Sequence, residues 1–384
     1  MTSARLASAA LAALLVGALA ACTTGAEPPG PAPSASPSLA PPPDALAPLG
    51  DPIDVVTGLA APWSMVRLND GSTLVSERDS GRVLRVEGGA TTLVGTVPGV
   101  VHEGEGGLLG LAVWNTPDGR WLYAYLTTSA DNRVVRMPLE SVDGALALGA
   151  PEVLLSGLAK ARNHDGGRIA FGPDDMLYVT VGDAGVPERA QDPASLNGKI
   201  LRMSPEGVVP ADNPTRGSYV YSLGHRNPQG LAWNDDGQLY AAEFGQDTWD
   251  EFNSIEPGAN YGWPIVEGRG GEEQGFVDPL VQWPTDEASP SGLARVGGTF
   301  FLAGLGGQRL WAIDVDPETG AAAASASFVG ELGRLRDVVP GPDGTLWALT
   351  NNTDGRGSPR PGDDRIVEIR LAPAAGVGTA DGSD

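Results

Sequence analysis

The chain of 384 residues is short of what usually carries chemistry or crosslinks: one cysteine, three histidines and 6% aromatics. A single cysteine excludes an intramolecular disulfide, so in an exported protein Cys22 needs another use. Basic residues are scarce too, with 25 Lys and Arg against 48 Asp and Glu and a formal charge of −23. That balance excludes recognition of a phosphate backbone, which needs a basic footprint. It suits colloidal solubility, or calcium binding by some of the carboxylates. Extended helical periodicity is missing, and the apolar stretch from Leu6 to Ala21 is too short and too rich in small residues for a comfortable membrane span.

That stretch follows Arg5 and ends in Leu19-Ala20-Ala21-Cys22, which reads as an export signal (residues 1–21) with a bacterial lipobox. Cys22 is then expected to carry a diacylglyceryl anchor that holds the protein at the outer side of the cell membrane. Plain secretion with an incidental cysteine is the alternative. Residues 22–50, dense in Pro, Ala and Ser, are expected to form a flexible tether. Residues 51–371 have globular composition and suffice for one large all-β domain, and residues 372–384 are expected to be a disordered tail.

A single unit recurs within the globular region: an apolar strand, a turn built on Asp-Gly or a variant, and a second β-branched or aromatic strand. It appears at Met65 to Glu77, Leu111 to Leu126, Ile169 to Asp183, Leu231 to Gly245 and Val338 to Asn351, with a weaker copy at Leu293 to Leu305. Each is a hairpin signal. Six of them at intervals of roughly fifty to sixty residues predict an all-β, six-bladed β-propeller of four-stranded antiparallel blades. A β-sandwich is not expected to return a similar unit six times.

The three histidines all fall in Gly-rich polar stretches: His102 before EGEGGLLG, His164 in NHDGGRIAFGPD and His225 in GHRNPQG. Simple antiparallel register about the Gly172–Asp175 turn places His164 opposite Asp183. A carboxylate beside an imidazole fixes its tautomer and frees the other nitrogen to act as a base. A structural histidine capping the hairpin fits the same residues. Arg226 and Asn227 precede Pro228, which predicts a fixed, exposed corner whose guanidinium and amide suit a ligand with carbonyls and carboxylates, or a tie to a neighbouring blade. Arg334 and Arg336, two apart, share one face of a strand and need an anion between them, from a ligand or from a nearby Asp or Glu. The segment Ala242 to Pro264 combines carboxylates, Gly and amides in a weakly calcium-like pattern without EF-hand spacing.

Taken together, GHRNPQGLAW, NGKILRM (Asn197 to Met203) and NYGWP (Asn260 to Pro264), in this order, resemble the glucose/sorbosone dehydrogenase family over most of Leu59 to Ile369. The resemblance implies a propeller that uses pyrroloquinoline quinone (PQQ) and Ca2+ to oxidise the anomeric hydroxyl of aldose sugars to lactones and passes electrons to an unidentified acceptor. It casts His164 as the base, Asp183 as its partner, and Arg226 and Asn227 as contacts on the quinone's carbonyl side. Arg334 and Arg336 would hold cofactor carboxylates, and Glu105 falls where relatives can have a cofactor-facing Gln. The carbonyls of Gly245 and Gln246 would ligate the cofactor's calcium, and Glu251 and Tyr261 a second, structural calcium.

The chain departs from the pattern in the penultimate blade, where AGLGGQRLWAI places Gly306 at a position that is basic in relatives. A cationic partner of the cofactor is therefore expected to be lost unless Arg309 reaches in. Two other readings are a calcium-dependent lactonase-type propeller and a cofactor-less binding propeller at the cell surface.

Overall fold

The computed structural model describes residues 44–374; the expected signal, Cys22, most of the tether and the end of the tail lie outside the described residues. Six antiparallel sheets follow one another along the chain. Blade 1 runs from strand Pro62–Arg67 to Ala90–Thr96, and blade 2 from Leu108–Thr116 to Ala145–Leu148 with a fifth strand, Glu152–Leu158, also pairing in it. Blade 3 runs from Ile169–Phe171 to Val220–Leu223, blade 4 from Asn227–Trp233 to Val281–Pro284, and blade 5 from Pro290–Val296 to Ala322–Ser327. Blade 6 takes Leu335–Pro340, Leu346–Thr350 and Ile366–Ile369 from the end of the chain and its outermost strand, Ile53–Val56, from the beginning. The result is the six-bladed β-propeller that the repeats predict. Every one of the six repeats is the innermost hairpin of a blade.

Each blade is a sheet packed on both faces, so its inner strands carry apolar residues in near-continuous runs. Leu177–Val181 and Leu346–Thr350 are buried at every position. The core accordingly divides into six layers, each shared by two neighbouring blades. Tyr240, Phe252 and Trp283 of blade 4 meet Leu293, Phe300 and Trp311 of blade 5, for example, and Val56, Trp347 and Ile366 of blade 6 meet Met65, Val75 and Leu84 of blade 1. Helix is confined, among the described residues, to three short 3-10 turns, and no helix is long and apolar enough to cross a membrane.

Two boundaries differ from the expectation. Leu46–Pro48 pairs with Leu371–Pro373 in a small two-stranded sheet, and Ala45 is buried, so the ordered domain begins before Asp51 and runs past Leu371. Chain ends that pair with each other fold regardless of their Pro- and Ala-rich composition. The blade 3 hairpin also shifts by one residue from simple register: Ile169 pairs with Val179, because the turn takes in Met176 and holds Asp175 at φ +63°.

Antiparallel connectivity sends the six inner-hairpin turns to one end of the ring and the loops between blades to the other. A buried ion pair divides the central channel between these ends. Arg168 of blade 3 reaches across to Asp337 of blade 6 at 2.9 Å, lies 4.5 Å above the Trp63 ring and donates to the Gln229 carbonyl. Toward the hairpin-turn end lies a largely aliphatic cavity of about 280 Å³ that includes Met65, Leu111, Ile169 and Val338. Toward the loop end lies a charged one.

Candidate active site

The loop-end cavity, about 220 Å³, is lined by Arg78, Arg334, Arg336 and Arg356, by Glu105 and Asp165, and by Trp63, Gln229, Phe244, Ser289 and Leu305. Four guanidinium groups around one cavity repel each other, and the protein offsets them from one side. Asp354, whose side chain is fully buried, lies 3.4 Å from Arg334, 3.9 Å from Arg336 and 4.0 Å from Arg78. Burial acts to raise the Asp354 pKa, but the surrounding arginines outweigh it and hold the carboxyl below its usual range. The anion expected between Arg334 and Arg336 is thus present as an aspartate, but it does not saturate them. Arg334 Nε is buried without a partner. Arg336 is wholly buried and tied to Gln229 Oε1 at 2.9 Å, and burial together with the charge of Arg334 pushes it down to about 9.

His164 stands on the loop between blades 2 and 3, beside Asp165 and Gly166 of the cavity wall, in a left-handed backbone conformation at φ +60°. Its Nδ1 lies 2.8 Å from Asp183 Oδ1, and Asn163 Nδ2 lies 3.1 Å from its Nε2. An amide nitrogen only donates, so Nε2 presents a lone pair and Nδ1 carries the proton toward Asp183. The expected pair therefore forms, although through loop backbone, with the Ala184 amide donating to the His164 carbonyl, and not through the sheet register. Asp183 also accepts from Gly185 N at 2.7 Å and from Trp263 Nε1 at 2.9 Å. Burial would raise its pKa, but these donors and His164 hold it below the usual carboxylate range.

Glu105 joins the two sides of the cavity. Its Oε2 accepts from the His164 backbone amide at 2.9 Å, and its Oε1 faces Arg356 at 3.2 Å. Asp165, fully buried, accepts through Oδ1 from Asn132 and leaves Oδ2 unpartnered; burial raises its carboxyl to about 6.

Asn227 is buried, contrary to the exposed corner expected, because it begins the innermost strand of blade 4, and Arg226 just before it is half-buried. Asn227 Oδ1 accepts from Gly166 N at 3.0 Å, and the Arg226 guanidinium lies 5.6 Å from the Trp263 ring. Burial lowers the Arg226 pKa, and its Nε is a second buried nitrogen without a partner. Arg226 and Gly245 line a very small pocket next to the main cavity, with Glu243, Glu251, Tyr261, Trp263 and Glu267. Glu251 faces Glu243 directly across two strands, and burial, then the charge of Glu243, pushes it up to about 8. The Tyr261 hydroxyl is engaged with Ser254 O and Glu256 N, so only its backbone remains for a cation. Gly245 N binds Asp250, and Gln246 N binds Glu267. The carbonyls of Gly245 and Gln246 receive no hydrogen bond among the described residues. No group of three or more His, Cys, Asp or Glu there is arranged to hold a metal by side chains alone.

His102 and His225 lie apart from this chemistry. His102 Nδ1 faces the Gly106 carbonyl at 3.0 Å, and His225 is fully buried between Ser222 and Glu243. Arg309 does not reach the cavity: its Nε donates to Gly307 O and its guanidinium covers the Trp311 ring at 5.4 Å. Sequence reasoning missed Arg78, Arg356, Asp354 and the Trp263–Asp183 bond, which arise from loops far apart in the chain. The one available signal was Trp263 itself, within a motif already singled out.

Residues 59–358 match the family model for glucose/sorbosone dehydrogenases. The chain belongs to that family. It is 50% identical to the solved structure of the PQQ-bound form of aldose sugar dehydrogenase from Streptomyces coelicolor, with a TM-score of 0.81 covering 87% of this chain and all of that one. It is 43% identical to the structure of a putative oxidoreductase (glucose dehydrogenase) from Thermus thermophilus, with a TM-score of 0.77 covering 83% of this chain and 99% of that one. Quinoprotein glucose dehydrogenase B of Acinetobacter calcoaceticus is 34% identical over 257 residues, 56% of this chain and 52% of that protein, so the match spans about half of that relative's length.

Proposed function

We propose that this glucose/sorbosone dehydrogenase family member is a PQQ- and calcium-dependent enzyme that oxidises the anomeric hydroxyl of aldose sugars to lactones. The observation that carries the reading is the pairing, at one end of the channel, of an oriented imidazole with a cavity where Arg334 Nε has no partner, next to a small pocket where Arg226 Nε has none either. Buried donors without partners are costly in a finished fold and imply an acceptor still to come. The donor set fits the cofactor. Arg334 and Arg336 would hold its carboxylates, Arg226 and Asn227 would face its carbonyl edge, and the free carbonyls of Gly245 and Gln246 offer hard oxygens to its calcium. Glu251 and the Tyr261 carbonyl would serve a second calcium.

When bound, the quinone supplies the hydride acceptor. The chain's own residues do the rest. Asp183 holds the His164 proton on Nδ1, so Nε2 is the basic atom and can take the proton of a sugar hydroxyl that displaces the Asn163 amide. Asp183 then faces the resulting imidazolium and stabilises it. Arg226 is held by its backbone amide on Glu243 and by Trp263 beneath its guanidinium, so it meets developing negative charge without reorganising.

The lactonase-type reading would need carboxylates converging on a central metal, whereas this cavity is dominated by guanidinium groups. The binding-propeller reading leaves the oriented His164–Asp183 pair without a task. The experiment that tests the function is reconstitution: apoprotein receives the quinone and calcium, and its absorbance spectrum and dye-linked oxidation of aldoses are recorded before and after. A chain that gains neither a bound-quinone spectrum nor sugar-dependent dye reduction overturns the reading.

We further infer that Cys22 anchors the protein by a lipid to the outer side of the cell membrane. Metabolic labelling with a fatty acid should mark the wild type and not Cys22→Ser; equal labelling of both defeats the inference.

A further inference from the structure

The penultimate blade brings no cation to the cavity, and its Gly306 has no room for one. A β-carbon on Gly306 would lie 2.3 Å from Ser289 Oγ, so even a small side chain requires Ser289 to move. Arg309 is folded onto Trp311, and blade 5 offers the cavity only Ser289 and Leu305, from a loop and from the end of its second strand. Charge reaches the cavity from the other side. The loop of residues 351–365 in blade 6 carries Arg356 to the cavity, where its side chain, 45% exposed, meets Glu105 Oε1 at 3.2 Å and, among the described residues, no other side chain.

The four lining arginines differ in how firmly they are held. Arg78 is bound to Asp79 at 2.7 Å, Arg336 is locked between Gln229 and Asn351, and Arg334 lies against Asp354. Arg356 has one half-exposed ion pair, the kind that contributes little because water competes for both partners. Its partner is also the more dispensable one, since Glu105 keeps a second role on the His164 amide whether or not Arg356 is attached.

We propose that Arg356 is a ligand-binding residue that leaves Glu105 for a carboxylate of the bound quinone. This rests on the quinoprotein reading. The exchange swaps one anionic partner for another, so the guanidinium is never left alone. It also predicts that Glu105 competes with the ligand for Arg356.

Calorimetric titration of PQQ into calcium-loaded apoprotein tests this. Arg356→Ala should weaken binding roughly ten- to hundredfold, the range for loss of a charge-assisted hydrogen bond, and Arg356→Lys should recover part of the loss. Glu105→Gln should tighten binding by removing the competitor, and that gain should vanish when Arg356 is already Ala. Arg309→Ala should change nothing. Equal affinity of wild type and Arg356→Ala overturns the inference and leaves the quinoprotein reading intact. A gain from Glu105→Gln that persists without Arg356, or a loss with Arg309→Ala as large as with Arg356→Ala, overturns it as well. A wild type that does not bind the quinone removes the reading on which it stands.

Discussion

Two histidines of this protein pair with a buried carboxylate, and only one is placed to react. His164 Nδ1 meets Asp183 at 2.8 Å, and His225 Nδ1 meets Glu243 at 2.7 Å. The difference lies at the other nitrogen. His164 keeps 12% of its side chain exposed, with only a neighbouring amide on Nε2. His225 has no exposure, its Nε2 is closed by Ser222 Oγ at 2.8 Å, and Tyr261 is stacked on its ring at 4.8 Å. A carboxylate–imidazole pair by itself is therefore no evidence of catalysis. An accessible, replaceable partner on the second nitrogen is what separates a base from a bracket, since proton transfer needs the substrate within hydrogen-bond reach.

Replacement of each histidine breaks or sharpens this contrast. His164→Ala should lower sugar oxidation by roughly two to four orders of magnitude, the usual contribution of a general base, with quinone affinity nearly unchanged and a smaller stability cost than at His225, because buried Asp183 keeps its Gly185 and Trp263 donors. A variant retaining most of its turnover removes His164 from that role. His225→Ala should act on the fold instead: it strips partners from buried Glu243 and Ser222 and should cost about 3–5 kcal/mol in urea unfolding. Unchanged stability would place the two histidines in one class after all.

The paired arginines extend the contrast from protons to ligand. Arg334→Ala should weaken quinone affinity by about 1.5–3 kcal/mol in calorimetry, with turnover partly restored at saturating cofactor. A turnover defect that saturation does not relieve would make Arg334 part of the chemistry.

An effect no larger than that at Arg334 is expected at Asp165, a carboxyl beside His164 with no cationic partner. Its folded pKa, about 6, lies above the ordinary 3.8. The folded state thus holds the proton more tightly than the unfolded chain. The resulting stability is complete below pH 3.8 and is lost as pH rises through about 6. Over that interval the loss is at most about 3 kcal/mol, from 1.36 kcal/mol per pKa unit. Asp165→Asn should flatten the stability profile between pH 4 and 7 and raise stability at pH 7 relative to wild type. Parallel profiles of the two proteins in denaturant titrations would exclude Asp165 as the source.

Much of the fold was legible because its information is local. Each inner hairpin carries its turn and apolar strands within about fifteen residues, so the repeats report the blades directly. Local logic also reached the His164–Asp183 pair, although the one-residue register shift at Asp175 shows that the contact formed by another route. The site's electrostatics were less accessible. Asp354 answers Arg78, 276 residues away in sequence, and Arg356 answers Glu105 across 251 residues. Such pairs exist only once the ring has closed. The same limit explains why Arg309, near Gly306 in sequence, was a poor substitute for Arg356, which is near the cavity in space.

The closing strand of blade 6 makes the ring a clasp. Ile53–Val56 is joined to Ile366–Ile369 without any covalent link, by the strand ladder, the burial of Val56 and the Arg365–Asp54 ion pair, and is reinforced by the Leu46–Pro48 and Leu371–Pro373 pair. Arg334 and Arg336 lie on or next to the innermost strand of that clasped blade, and the Arg168–Asp337 pair ties the same strand to the far wall of the channel. A ligand gripped by those arginines would act as a rivet at the seam, stabilising the closed ring by an amount that grows with the logarithm of the free ligand concentration above its Kd. Loosening the seam would release the ligand by the same thermodynamic linkage.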